Sequence, residues 1–143
     1  MFSLTCKTAI KALIYLASKF ESGEKAGIKE IALFINASEH TVGKMLQTLV
    51  KQNVINSSKG PNGGFYITMR QKNQSVINVI YAIDGKSIFD QCSLGLSKCS
   101  VTHPCPFHDD YKLIRDAFKL LCHKKKISDL CGPVNSGLAY LIG

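Results

Sequence analysis

Ser38-Glu39-His40-Thr41-Val42-Gly43-Lys44-Met45-Leu46-Gln47-Thr48-Leu49-Val50 and, shortly after it, Lys59-Gly60-Pro61-Asn62-Gly63-Gly64-Phe65 are the two stretches that decide the fold. In the first, Val42, Met45, Leu46, Leu49 and Val50 recur three and four residues apart, which predicts a helix over 39–52 with one apolar side. His40, Thr41, Gly43, Lys44, Gln47 and Lys51 fall on the other side. Ser38 stands where a hydroxyl oxygen accepts from an orphan backbone N–H and starts the helix. The second stretch is a glycine-rich turn between short β-prone runs at 54–58 and 65–68, which reads as a hairpin.

Upstream, Leu4, Ala9, Ile10, Leu13, Ile14, Leu16, Ala17 and Phe20 keep helical spacing over 3–21, and Gly23 ends that segment. A short helix over 28–34 follows, with Ile31, Ala32 and Ile35 as its apolar side, and Asn36 and Ala37 form a turn. Helix, short helix, turn, helix and hairpin in this order describe a winged helix-turn-helix, whose third helix reads a major groove. The expected fold class is therefore mainly α with a small β-hairpin. On the reading helix, Lys44 and Gln47 reach base edges, whereas Ser38, Thr41 and Lys59 hold phosphates. His40 faces a base, a phosphate or solvent. Lys59, Asn62 and Gly63 form the wing contact, where the lack of side chains lets the backbone approach DNA closely.

The charge distribution agrees. The chain of 143 residues carries a formal net charge of +8, and its first 75 residues hold ten basic against four acidic side chains. A surplus concentrated there points to a polyanionic partner, most simply double-stranded DNA. Hydrophobic content of 45% and charged content of 20% belong to a folded globular chain. No apolar run approaches the roughly 18 residues that cross a bilayer, and residues 9–17 are interrupted by Lys11, an amphipathic helix rather than a signal peptide. A cytoplasmic location without membrane partners is expected, and in that reducing compartment six cysteines are thiols or metal ligands rather than disulfides.

The second half carries the chemistry. A helix over 75–83 exposes Val76, Val79, Ile80 and Ile83 on one face, and Asp84-Gly85 stops it. Residues 86–108 lack any period and contain Cys92-x6-Cys99-x5-Cys105-x2-His108. Loops longer than about 15 residues are usually functional or disordered, and four soft ligands favour a metal-binding function. A helix over 109–126 has an apolar stripe, Leu113, Ile114, Ala117, Leu120 and Leu121, that a partner subunit would cover. Gly132, Pro133 and Gly137 break the apolar tail, which packs on a partner or on the first helix. The division read from this is a DNA-binding unit over 1–84, a ligand loop over 85–108, and a dimerisation helix with tail over 109–143.

Three thiolates and an imidazole suit either a structural zinc or a 2Fe-2S cluster. Tight Cys-x2-Cys pairs typical of zinc are absent, and wide spacings favour wrapping a larger inorganic core. His103 competes with His108 as fourth ligand. Cys6, Cys122 and Cys131, in helical or apolar stretches, read as buried filler. His123 beside three lysines reads as a solvated helix end. No nucleophile–base pair, phosphate loop or carboxylate pair is present in the sequence, so neither an enzyme nor a small-molecule substrate is expected. The competing reading is a winged-helix regulator, zinc-stabilised or metal-free, whose loop senses nothing.

Residues 9–17, the turn and reading helix over 37–49, the wing from Lys59 to Phe65, Ala82-Ile83-Asp84-Gly85 and the three cysteines together resemble the Rrf-two family of bacterial transcription regulators, in its IscR/NsrR-like, iron-sulfur cluster-binding branch. The resemblance implies a homodimer paired through the long C-terminal helix on a two-fold symmetric operator. It also implies a 2Fe-2S cluster held by Cys92, Cys99, Cys105 and His108, and a regulator, expected to be a repressor, that responds to redox state, nitric oxide or cluster supply. Two departures stand out: six residues rather than five separate the first two cysteines, and Thr8 occupies the place where nitric oxide sensors carry a carboxylate ligand.

Overall fold

The computed structural model describes residues 2–143. Its elements run α1 (Leu4–Ser18), α2 (Ile28–Ile35), α3 (Glu39–Lys51), β1 (Asn56–Ser58), β2 (Gly64–Tyr66), α4 (Met69–Lys72), α5 (Val76–Ile83), a 3-10 turn (Lys86–Phe89), α6 (His108–Lys124) and α7 (Ile127–Asn135). This is the mainly helical, winged helix-turn-helix architecture that the sequence predicts.

Local chemistry fixes each element of the reading unit. Ser3 caps α1 by accepting from the Cys6 N–H at 3.0 Å, and Ser38 caps α3 by accepting from the Thr41 N–H at 3.2 Å. Asn36 ends α2 in the left-handed region at φ 55°, a conformation its short polar side chain tolerates. Val42, Met45, Leu46 and Leu49 turn the apolar side of α3 into the core, where α3 packs on α1 and α2 and where Leu13, Leu16 and Ile31 are also buried. His40, Thr41, Lys44 and Gln47 remain exposed on the outer side.

The hairpin is shorter than the β-prone runs that announce it. Asn56 pairs with Tyr66, Ser57 with Phe65 and Ser58 with Gly64, while Val54, Ile55 and Ile67 leave the ladder to enter the core. A third rung lies outside the reach of sequence periodicity. Ala26 exchanges both backbone hydrogen bonds with Phe65, at 2.9 and 2.8 Å, and so ties the wing to the segment between α1 and α2. Gly64 makes this possible: its φ is +141°, and a Cβ there would stand 2.9 Å from the Ala26 carbonyl oxygen.

The short helix α4 is also a finding of the structure. Thr68 and Gln71 form a reciprocal capping box, and the buried Gln71 amide donates to the Asn53 carbonyl and to Asn56 Oδ1, both at 3.1 Å. Four residues are too few for a periodic signal. Side-chain hydrogen bonds to the base of the wing hold the turn in place of apolar packing.

The tail departs most from its sequence reading. Gly132 and Pro133 do not break it; residues 127–135 form α7, and the chain turns away only at Ser136 and Gly137, where φ is +75°. Pro133 lies in the last turns of α7, where the missing N–H removes a single backbone bond. Of the two packing choices the tail has, the structure takes the first helix: α7 lies along α1, with Ile127 and Cys131 in the shared core. The turn between α6 and α7 is pinned to the start of α5 by two backbone bonds, Val76 N–H to the Lys125 carbonyl at 2.8 Å and Ile127 N–H to the Gln74 carbonyl at 3.0 Å.

Two substitutions separate core from cap. Leu46→Ala, at a fully buried site, is expected to cost roughly 2–5 kcal/mol, and Ser38→Ala about 1 kcal/mol. Urea unfolding at matched protein concentration measures both; equal losses would contradict the packing described for α3.

Candidate metal centre and nucleic-acid interface

The loop that carries the cysteines begins at the 3-10 turn and ends where α6 begins. Phe89 anchors its start, buried against Phe118 of α6 with ring centroids 5.8 Å apart. At its end, the His108 N–H donates to the Cys105 carbonyl at 2.9 Å, so the last two ligand candidates share one turn. His108 is the first residue of α6, one position earlier than the helix read from the sequence.

The four candidates come together as two pairs. Cys99 Sγ lies 3.3 Å from His108 Nδ1, and Cys92 stands beside Cys105. Cys92, Cys105 and His108 are buried, and Cys99 is half-buried. His103 is exposed and turned to its own neighbours, Thr102 Oγ1 at 3.3 Å and Ser100, so it does not join them. Among the described residues, no three Cys, His, Asp or Glu side chains close around one ion. Backbone N–H groups of Leu94, Leu96 and Gly95 surround the Cys92 sulfur and hold its thiol below the ordinary value, helped by Cys105. Gly95, at φ +75°, turns the chain here, and its N–H donates to the Cys92 carbonyl at 3.0 Å.

This donor set fits a two-iron cluster better than a single zinc. A 2Fe-2S core needs two protein ligands for each iron, and N–H donors to its sulfur ligands are the ordinary way a protein stabilises it. A tetrahedral zinc needs four ligands on one point.

The remaining cysteines differ in kind. Cys6, Cys122 and Cys131 are each buried in the core. Burial, then Asp84 and Cys122 nearby, push the Cys6 thiol up to about 12, and burial raises Cys122 and Cys131 as well. Such thiols are poor nucleophiles and poor ligands. Thr8 spends its hydroxyl on the Leu4 carbonyl of its own helix, at 2.9 Å.

Arg115 is the residue that sequence reading passes over. It lies seven positions after His108, two turns along the same face of α6, and that spacing is the signal. Its side chain stands beside Cys99 and its Nη1 donates to the Gln91 carbonyl at 3.5 Å.

On the reading unit, His40, Thr41 and Lys44 line a groove with Thr5, Met45, Thr48 and Ile83. Gln47 lines a second groove, between α3 and the wing, with Lys51, Ser57, Ser58 and Gly64. Lys59 and Asn62 are exposed at the wing tip, and Gly63 is half-buried beneath them. Ser38 and Thr41 share a hydroxyl hydrogen bond of 2.8 Å. The eight candidate DNA contacts thus occupy the outer side of α3 and the wing beside it. The stripe on α6 is open: Leu113 is 72% and Ile114 60% exposed, with Leu120 and Leu121 alongside. No helix among the described residues is long and apolar enough to cross a membrane.

Comparison with known proteins agrees with this architecture. A chain from Aquifex aeolicus, assigned by inference as an HTH-type transcriptional regulator, is 27% identical over 132 residues, covering 91% of this chain and 90% of that one. CymR, the global cysteine regulator of B. subtilis, superposes with a TM-score of 0.76 at 20% identity, covering 92% of this chain and 96% of its own. T. potens IscR superposes with a TM-score of 0.73 at 17% identity, covering 98% and 92%. At these identities the two structures establish the fold. Residues 2–133 match the family model Rrf2, described as an iron-dependent transcriptional regulator. The chain belongs to the Rrf2 family of transcriptional regulators and is not an enzyme.

Proposed function

We propose that this regulator binds a two-fold symmetric operator as a homodimer, and that a 2Fe-2S cluster held by Cys92, Cys99, Cys105 and His108 governs that binding. The carrying observation is the pairing of four soft donors, three buried and Cys99 half-buried, at the joint between the winged unit and α6. A cluster supplies redox and nitric oxide reactivity, and imidazole exchanges more readily than thiolate, so such a site can report cluster supply or redox state in the cytoplasm. The regulator is proposed to repress.

The division of labour follows the chain. Residues 1–84 read DNA through Ser38, His40, Thr41, Lys44, Gln47, Lys59, Asn62 and Gly63; residues 85–108 hold the cluster; residues 109–143 pair the subunits through α6 and return to α1 through α7. An ordered loop stiffens the joint between α5 and α6 and so fixes how far apart two reading helices stand, about one helical turn of DNA.

Anaerobic purification is expected to give a brown protein with sulfide-to-iron charge-transfer bands. Cys92→Ala, Cys99→Ala and Cys105→Ala should lose these bands and bind promoter DNA differently from the intact holoprotein. A colourless, zinc-loaded wild type, or triple-variant operator affinity equal to that of the holoprotein, rules the proposal out. Lys44→Ala is expected to cost about 1–3 kcal/mol on operator DNA. Lys59→Ala should weaken all sequences alike and reduce the salt slope by about 0.9; titrations at several salt concentrations distinguish the two. Leu113→Asp with Ile114→Asp should convert a dimer to a monomer in sedimentation experiments, and an unchanged dimer would place the subunit contact elsewhere.

A further inference from the structure

Arg115 is an unusual residue for the face of α6 that it occupies. Its side chain is only 11% exposed, and its Nε is buried with no hydrogen-bond partner among the described residues. The nearest carboxylate oxygen, Asp116 Oδ1, is 3.7 Å away, beyond hydrogen-bond length. Asp116 is instead engaged by Lys112 at 3.0 Å. The remaining contacts of the guanidinium are with the cysteine loop, at the Gln91 carbonyl next to Cys92 and at Cys99. Removing a guanidinium from water and leaving a donor unpaired costs free energy, so such a placement calls for an anionic counterpart. Cys99, Asp116 and Asp90 lie near enough to act on its charge, and an arginine guanidinium does not deprotonate in proteins. The side chain therefore stays charged throughout the accessible pH range.

We infer that Arg115 is a positioning residue for the cluster: it ties the start and the middle of the ligand loop to α6 and, as a fixed positive charge, favours the reduced, more negative state. The inference rests on the cluster reading above. One-electron reduction turns one ferric iron ferrous and makes the site one unit more negative, while the guanidinium neither gains nor loses a proton. Without its charge, reduction becomes harder. Next to Cys99 it acts most on the Cys99–His108 pair.

The test is a dithionite titration of the anaerobically reconstituted full-length holoprotein, followed by visible absorption and EPR against redox dyes. The variants are Arg115→Gln, neutral and still polar, and Arg115→Lys, which keeps the charge. At a solution potential where the wild type is half reduced, the ratio of reduced to oxidised cluster should fall about tenfold in Arg115→Gln, a shift of 59 mV for a one-electron couple. In Arg115→Lys it should stay within about twofold of the wild type. Cluster uptake lost in Arg115→Gln but kept in Arg115→Lys supports the same role. A wild-type ratio in Arg115→Gln, or equal effects of both variants, overturns the inference while leaving the cluster reading intact. A wild type that takes up no cluster overturns both.

Discussion

Two backbone hydrogen bonds, between residues 74–76 and 125–127, set the geometry on which the ligand loop depends. They fasten the end of α6 to the start of α5, so the packed helices run antiparallel from one pinned end. α5 has 8 residues and α6 has 17, so α6 extends past α5 by roughly 13 Å at 1.5 Å per residue. The chain between Ile83 and His108 has to climb this overhang, and it does so beside the exposed upper turns of α6. The loop that holds the candidate ligands therefore leans on the helix proposed to pair subunits. A change in the loop can reach α6 directly, through Arg115 and Phe118.

The opposite end of the same frame supports the reading unit. Asp84, at the end of α5, accepts hydrogen bonds from both the backbone N–H and the hydroxyl of Ser3, the residue that caps α1. α1 in turn packs against α2, α3, α5 and α7. The Ala-Ile-Asp-Gly segment therefore does more than end a helix: it joins the start of the central helix to the start of the ligand loop. Gly85, at φ +80°, lets the chain leave α5 sharply enough to begin the 3-10 turn.

The thiols divide by environment. Cys6, Cys122 and Cys131 sit among apolar side chains that disfavour the thiolate, whereas Cys92 lies under backbone N–H groups that favour it. Sequence position had already separated the two sets, because the first three lie in helical or apolar stretches and the others in an aperiodic loop. Burial alone does not separate them, since Cys92 and Cys105 are buried too. What sets Cys92 apart is the polarity of the wall around its sulfur.

Periodic apolar residues and caps carried most of the local architecture: α1, α2, α3, α5 and α6 begin and end within a few residues of the positions their patterns indicate, because helix faces and capping hydroxyls act over one or two turns. The glycine-rich tip announced the hairpin, and the cysteine spacing announced the loop. Tertiary structure alone decided the rest. Ala26 as a third rung, Gln71 as the brace under the wing, and α7 as a helix across Pro133 all depend on partners distant in sequence, and no local pattern encodes a partner. So does the pairing of Cys99 with His108 and the burial of Arg115 beside them: two residues nine positions apart meet only because a loop and a helix are held at fixed ends. Residue types determined what chemistry was available, and the packing of α5, α6 and α7 determined which side chains could share it.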